Sequence, residues 1–481
     1  MRRSTMAPRS SSPCWSTYTF FLCALFGLNV ATVTRLHAAA AGSPPPNLVF
    51  LLVDDLRWNT LGCMGDRIVQ TPNIDRLAQR GIKFQNCFAT TSICSVSRAT
   101  YFTGQWLRRH GIVDFVTGLN GSAWDNTYPA QLRAAGYHTG FIGKFGVGNE
   151  REVAAKATAF DYWRGLPRQG GRFFIEKNDP TRTHRTAKMG TEALEFLAGC
   201  DANKPFSLSI SFNAVHARDH EEREYEPDPR DEQLYRDVTI PLPKLATPAA
   251  FARVPDFVKK SEGRTRWGWR FDTPEKAQSI LRDYYRLITG VDREIGRLVA
   301  QLEQRGLADN TIIIFTSDNG YALADRGLAD KWFMWEEDLR LPLIIVDPRR
   351  PKSARGITSD AMVLNVDIAP TLLDLAGVKV PKVMQGRSLA PLLRGGPAPK
   401  DWRNEFFYEH HTLPGIIPPV EGVRTERWKY IRWVEPNPLV EELYDLRSDP
   451  LEEKNLAANP SHARQLAELR SKWERYGREL R

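Results

Sequence analysis

The stretch Asn47-Leu-Val-Phe-Leu-Leu-Val53-Asp54-Asp55 decides the fold class. An apolar run that closes abruptly on two carboxylates reads as a strand buried on both faces of a parallel sheet, because a strand with one solvated face would alternate. Similar short runs recur at Phe206 to Phe212, Thr311 to Thr316 and Leu341 to Val346. Helical patterns separate them, such as Thr71-Pro72 through Arg80-Gly81, with a Thr cap, Pro at the first helical position and a closing Gly. Strands alternating with helices predict an α/β fold: a mostly parallel sheet covered by helices on both faces, with ligands gathering at the carboxyl ends of the strands.

Past Gly377 the texture changes. A Pro- and Gly-rich stretch, Gly395-Gly396-Pro397-Ala398-Pro399, precedes strand-like segments around Phe406, Val423, Tyr430 and Leu443 and a helical tail from Pro460. This divides the chain into an α/β domain over residues 45–380 and a smaller C-terminal α+β subdomain over 381–481 with a short antiparallel sheet. Ahead of both, Arg2, Arg3 and Arg9 precede an uncharged run from Phe20 to Val33 and the small residues Ala38 to Ala41. Residues 1–40 therefore read as a signal peptide: the apolar run is short of the roughly 20 residues that cross a bilayer. Export to the periplasm or beyond, with no stable membrane span, is the expectation.

The 481 residues are 42% hydrophobic and 26% charged, which fits an ordinary globular protein and excludes disordered or collagen-like classes. Loss of Arg2, Arg3, Arg9 and Arg35 with the leader takes the formal charge from +9 to about +5. The basic residues are scattered, so no nucleic-acid partner is expected. Of six cysteines, Cys63, Cys87, Cys94 and Cys200 remain after cleavage, without the C-x-x-C spacing of a zinc site.

Two carboxyl-rich strand ends stand out: Asp54-Asp55, and Asp318-Asn319-Gly320 after the run Ile312 to Thr316. Either pair alone reads as turn aspartates. Together, oxygen donors from Asp and Asn suit a hard cation, calcium or magnesium. The segment Thr91-Ser-Ile-Cys94-Ser95-Val96-Ser97-Arg98-Ala-Thr-Tyr-Phe-Thr-Gly-Gln105 resembles the signature of the formylglycine-dependent sulfatases, Cys-x-Pro-Ser-Arg followed by Thr-Gly. The resemblance extends through Thr71-Pro-Asn-Ile-Asp-Arg-Leu-Ala78, Gly143-Lys-Phe-Gly146, Phe212-Asn-Ala-Val-His216, Phe315-Thr-Ser-Asp-Asn-Gly320, Asp367-Ile-Ala-Pro-Thr371, Arg424-Thr-Glu-Arg-Trp-Lys-Tyr430 and Glu442-Leu-Tyr-Asp-Leu446. The pattern is that of bacterial polysaccharide- and glycosaminoglycan-type sulfatases, members of the alkaline-phosphatase-like superfamily.

The resemblance implies hydrolysis of sulfate monoesters on a sulfated carbohydrate. In the family a maturation enzyme oxidises the cysteine to formylglycine, whose hydrate attacks sulfur. Asp54, Asp55, Asp318 and Asn319, with modified Cys94, match the ligands of one Ca2+ ion. Arg98 matches the residue that holds the nucleophile, Lys144 and Lys331 those that bind sulfate oxygens, and His216 the acid for the leaving alcohol, a task suited to imidazole. Beyond the motifs, Glu409-His410-His411 with Trp332 and Trp335 could form a sugar-contacting rim, His410 being the substrate-binding candidate.

Two positions depart from the pattern. Val96 stands where Pro or Ala is preferred, which bears on maturation of Cys94. Gly146 stands where many members have a histidine that assists collapse of the intermediate, leaving His110 and His220 as candidate replacements. Two other readings follow: a phosphatase, phosphodiesterase or phosphonate hydrolase on the same fold, and a non-catalytic binder of sulfated glycans. Asn319, where a two-metal phosphatase would place histidine, weighs against the first. Retention of Cys94, Arg98, Lys144, His216 and Lys331 weighs against the second.

Overall fold

The computed structural model describes residues 44–480 except 168, 170, 176–181 and 202; the expected signal peptide lies outside the described residues. The described residues from Pro46 onward form one compact unit. Its large sheet contains β1 (Asn47–Val53), β2 (Ile82–Phe88), β3 (His138–Lys144), β4 (Tyr162–Leu166), β5 (Phe206–Phe212) and β6 (Thr311–Ser317). After a small hairpin of β7 (Ala322–Leu323) and β8 (Ala329–Asp330) come β9 (Arg340–Val346), β10 (Ile357–Ser359) and β11 (Val363–Leu364). The order is β10-β2-β9-β6-β1-β5-β3-β4, with β11 also paired to β2.

β1 runs parallel to β5 on one side and to β6 on the other. The unbroken apolar run is explained by where its two sets of side chains go. Val49, Leu51 and Val53 enter one core with α1 (Pro72–Arg80), α3 (Arg185–Ala198) and α4 (Pro274–Gln304), whereas Leu48, Phe50 and Leu52 enter a second core with α2 (Cys94–Thr103) and α5 (Ile368–Leu375). Each such side chain, buried from an extended chain, contributes about 1.5–3 kcal/mol. A polar residue at any of these positions would be buried without a partner.

A third core lies under a four-stranded antiparallel sheet, β12 (Glu405–His410), β13 (Val420–Thr425), β14 (Trp428–Trp433) and β15 (Val440–Asp445), joined by α6 (Ala463–Glu479). Among the described residues no helix is long and apolar enough to cross a membrane.

Three details differ from the sequence reading. β9 runs antiparallel to both β6 and β2, a direction that an apolar run does not encode. β2 and β3 were hidden by polar or glycine residues. β2 carries Lys83, Gln85 and Asn86 and a register shift between Phe84 and Cys87, and in β3 Gly143 adopts φ +95 where a Cβ would lie 2.1 Å from the Ser211 carbonyl oxygen. Finally, Thr71 does not cap α1. Its hydroxyl accepts from the Gly62 amide and donates to Asp75, while Asp292 of α4 accepts from the amides of Asn73 (3.0 Å) and Ile74 (2.7 Å). A carboxylate from a distant helix is the stronger acceptor for the helix end.

Candidate active site

The carboxyl ends of β1 and β6 lie side by side, Val53 opposite Ser317, so the next residues of each strand meet. The Asp55 amide donates to Asp318 Oδ1 (3.1 Å) and Asn319 Nδ2 donates to Asp55 Oδ1 (2.8 Å). All four residues, Asp54, Asp55, Asp318 and Asn319, are at most 1% exposed, a depth at which carboxylates require paired cations.

The cations are supplied locally. Lys144, the last residue of β3, places Nζ 2.6 Å from Asp54 Oδ2. Lys331, just after β8, donates to Asp55 Oδ1. Arg98, one turn into α2, directs Nε (3.0 Å) and a terminal nitrogen (2.8 Å) onto Asp318 Oδ2, donates to the Lys144 carbonyl (2.7 Å) and to Ser211 Oγ, and lies 3.6 Å from Asp54 Oδ1. Burial pushes the Asp54 carboxyl up, but the Lys144 and Arg98 charges outweigh it and hold the group below the usual range. Asp318, lifted by burial and by the adjacent Asp54 charge, titrates above that range.

Cys94 opens α2, whose ten residues are all buried. Burial raises its thiol pKa while the charges of Lys144 and Lys331 pull the other way. Lys331 itself has a second layer behind it. Its Nζ lies 3.5 Å from Asp330 Oδ1, and Asp330 in turn accepts from Arg266 (2.5 Å) and Arg270 (3.1 Å). Burial opposes the ammonium, but Asp55 and Asp330 more than offset it and push the Lys331 pKa well above its ordinary value. It stays charged.

On Asp54, Asp55, Asp318 and Asn319, three buried acceptors have no hydrogen-bond partner: Asp54 Oδ1, Asp55 Oδ2 and Asn319 Oδ1. Unpaired buried oxygens are costly. Three of them from three of the residues expected to bind calcium fit a hard, oxygen-seeking cation. His216 adjoins this set, with Nε2 3.7 Å from Asp55 Oδ2; its Nδ1 is 2.6 Å from the Ala217 carbonyl, so Nδ1 carries the proton and Nε2 faces the charged cluster. His216 also lines an open cleft of about 290 Å3 with Gln169, Arg172, Asn213 and Arg218.

Other expected residues fall elsewhere. His410 is 0% exposed, at the end of β12, with Nε2 3.1 Å from the Thr412 carbonyl, and burial drives its pKa down to about 3. It therefore cannot act as a rim contact. Trp332 and Trp335 are only 2% exposed and pack into the third core with Phe333. The cause is shared: the antiparallel sheet must bury its apolar face, and this segment covers it. His110 engages Thr100 Oγ1 (3.2 Å) and the Ile112 amide (3.0 Å), while His220 is exposed against the Trp269 ring. Neither contacts the charged cluster.

Gly146 has a steric reason. At φ +75, a Cβ there would lie 2.5 Å from Arg98 Cδ, so Arg98 occupies the space a side chain would need. Sequence reasoning missed Ser211, the Asp330–Arg266–Arg270 layer and Gln169, whose Oε1 is 3.4 Å from Cys94 Sγ. No periodicity or motif marks a loop glutamine.

Comparison with known proteins gives concordant findings. The family model for sulfatases matches residues 46–378, and that for the N-sulphoglucosamine sulphohydrolase C-terminal region matches residues 324–479. An N-acetylglucosamine-6-O-sulfatase of Bacteroides thetaiotaomicron is 30% identical over 96% of this chain and 93% of its own. A solved structure of a protein in complex with its substrate D-glucosamine-2-N,6-O-disulfate superposes with a TM-score of 0.77 at 30% identity, covering 91% of this chain and 98% of that one. A phosphonate monoester hydrolase of Agrobacterium radiobacter shares the fold, with a TM-score of 0.76 at 24% identity over 91% of this chain and 96% of its own.

Proposed function

Because the chain belongs to the sulfatase family and is a sulfuric ester hydrolase, we propose that it removes the 6-sulfate of N-acetylglucosamine or N-sulfoglucosamine residues, working on exported or extracellular sulfated saccharide. The supporting observation is the convergence of Lys144, Lys331 and Arg98 on the cluster beside Cys94, because a sulfate ester needs fixed positive charge on its non-bridging oxygens. The names of the similar proteins support the sugar and the position.

In this reading a host maturase oxidises Cys94, and residue 94 as the formylglycine hydrate supplies one hydroxyl to attack sulfur and a second to release the sulfate. Asp54, Asp55, Asp318 and Asn319, with residue 94, would hold one calcium ion, which when bound would supply positive charge toward the sulfate oxygens. Arg98 ties the first turn of α2 to Asp318 and to β3, fixing where residue 94 points. Lys144 and Lys331 bind sulfate oxygens, their second partners Asp54 and Asp55 keeping them charged and oriented. His216, with Nδ1–H fixed on a carbonyl, turns Nε2 toward the site, from which its imidazolium form would give a proton to the leaving sugar oxygen. Residues 45–380 carry this chemistry and residues 381–481 complete the fold around it.

The test uses protein co-expressed with a formylglycine-generating enzyme, residue 94 being checked by a mass loss of about 18 Da. Sulfate release is then compared across 6-O-, 2-N- and 4-O-sulfated amino sugars, with a phenylphosphonate ester alongside. The 6-O-sulfates should turn over fastest. Faster cleavage of the phosphonate, or no sulfate release by converted protein, would overturn the proposal.

A further inference from the structure

We infer that Gln169 is a further catalytic group of this site, accepting a hydrogen bond from the attacking hydroxyl at position 94 and so aiming its lone pair at sulfur. The inference rests on the sulfatase reading above.

The orientation of the amide is fixed by its partners. Gln169 Nε2 lies 3.0 Å from the Gly146 carbonyl, which can only accept, so the amide nitrogen faces Gly146. Its oxygen therefore faces residue 94, where the Cys94 thiol donates to it at 3.4 Å. An acceptor not already assigned to a cation is what the surroundings of residue 94 otherwise lack. Lys144, Lys331 and Arg98 can only donate; Asp54 Oδ2, Asp55 Oδ1 and Asp318 Oδ2 accept from them, and the open oxygens Asp54 Oδ1 and Asp55 Oδ2 are those that the proposed calcium ion would take. An uncharged amide oxygen can orient an O–H without drawing the cations away from sulfate, and it is too weak a base to take the proton.

Gly146 and Gln169 work as one device. The left-handed backbone at Gly146 (φ +75) and the absence of a Cβ leave room for Arg98, and the carbonyl of the same residue anchors the glutamine. The histidine common in the family at this position could not stand beside Arg98 as Arg98 is placed here. Gln169 also lines the open cleft beside His216, so it stands on the side from which a sulfate ester can approach.

The experiment compares wild type, Gln169→Leu and Gln169→Glu, each co-expressed with the maturase and checked by mass for conversion of residue 94, on a 6-sulfated glucosamine. Gln169→Leu should lose about 10- to 100-fold in kcat, with KM within about threefold and conversion unchanged. Gln169→Glu restores an acceptor and should recover activity at neutral pH. It should also add an acid limb to log kcat near the ordinary glutamate pKa of about 4.3, a signature that a packing role would not produce. Retention of kcat within twofold by Gln169→Leu, or a Gln169→Glu profile superimposable on wild type, would overturn the assignment while leaving the sulfatase reading intact. A converted wild type that releases no sulfate from any sugar would overturn both.

Discussion

Replacing Gly146 by alanine separates two costs that the structure predicts to add. The first is conformational. At φ +75, a non-glycine residue pays about 1–2 kcal/mol for the left-handed region. The second is contact. The new Cβ would sit 2.5 Å from Arg98 Cδ, against an optimal carbon–carbon separation of about 3.5–4.0 Å, so the Arg98 side chain must move by roughly an ångström. It cannot move freely, because its guanidinium is held by Asp318, the Lys144 carbonyl and Ser211. Loss of one hydrogen bond to a charged group costs about 1.5–3 kcal/mol. Gly146→Ala should therefore lower unfolding stability by about 2.5–5 kcal/mol. The control is Gly306→Ala, also at positive φ (+66) but with no atom within 4 Å, which should cost only the conformational part. Urea unfolding of both variants measures the difference. Steady-state sulfate release should show Gly146→Ala slowed by about 10- to 100-fold, since residue 94 loses its anchor through Arg98. Equal destabilisation of the two variants, or an unchanged kcat in Gly146→Ala, would refute the crowding argument.

The cation site should be visible without activity. Calcium at about 100 times its Kd should stabilise the fold by about 2.7 kcal/mol, and Asp55→Asn or Asn319→Ala should shrink that thermal shift; no shift with calcium or magnesium in wild type would remove the site. A pH dependence follows from His410, which burial holds at about 3 in the folded state against an ordinary value of about 6.5. The unfolded chain takes up that proton first, so stability is present above about 6.5 and is lost as pH falls toward 3, by up to about 1.4 kcal/mol per unit. Denaturation curves at pH 7 and 5.5 should fall by about 1 kcal/mol less in His410→Leu than in wild type; parallel losses would contradict this.

The parts of the fold that were legible in the sequence are those in which burial leaves a periodic trace. β1 and the centre of β6 are continuous apolar runs because both faces are covered, β5 sets serine between apolar residues although all seven are buried, and the four C-terminal strands stand out against their turns. β2, with polar residues at an irregular pairing, and β3, with glycines in tight contact, leave no such trace. In the site, chemistry was legible where it coincided with strand ends: Asp54, Asp55, Lys144, Asp318 and Asn319 each end or follow a strand of the large sheet. His410 misled because a histidine at a strand end looks the same in sequence whether it faces solvent or a core, and only packing decides. Ser211, Asp330 and Gln169 act through contacts between segments far apart in the chain, which no local pattern records.

The placement of the charged cluster in the sheet also bears on how the protein could be re-engineered. β1 and β6 each have a strand on both sides, whereas among the described residues β4, which leads into the loop carrying Gln169, pairs only with β3. Backbone amides of doubly flanked strands exchange with solvent only through the costliest openings, and those of an outermost strand through cheaper ones. Libraries aimed at a new sugar should therefore be built on the margin beyond β4 and the facing residues Arg172 and Arg218, where the chain can absorb error. Diversity introduced at the ends of β1 and β6 would be spent mostly on proteins that never fold.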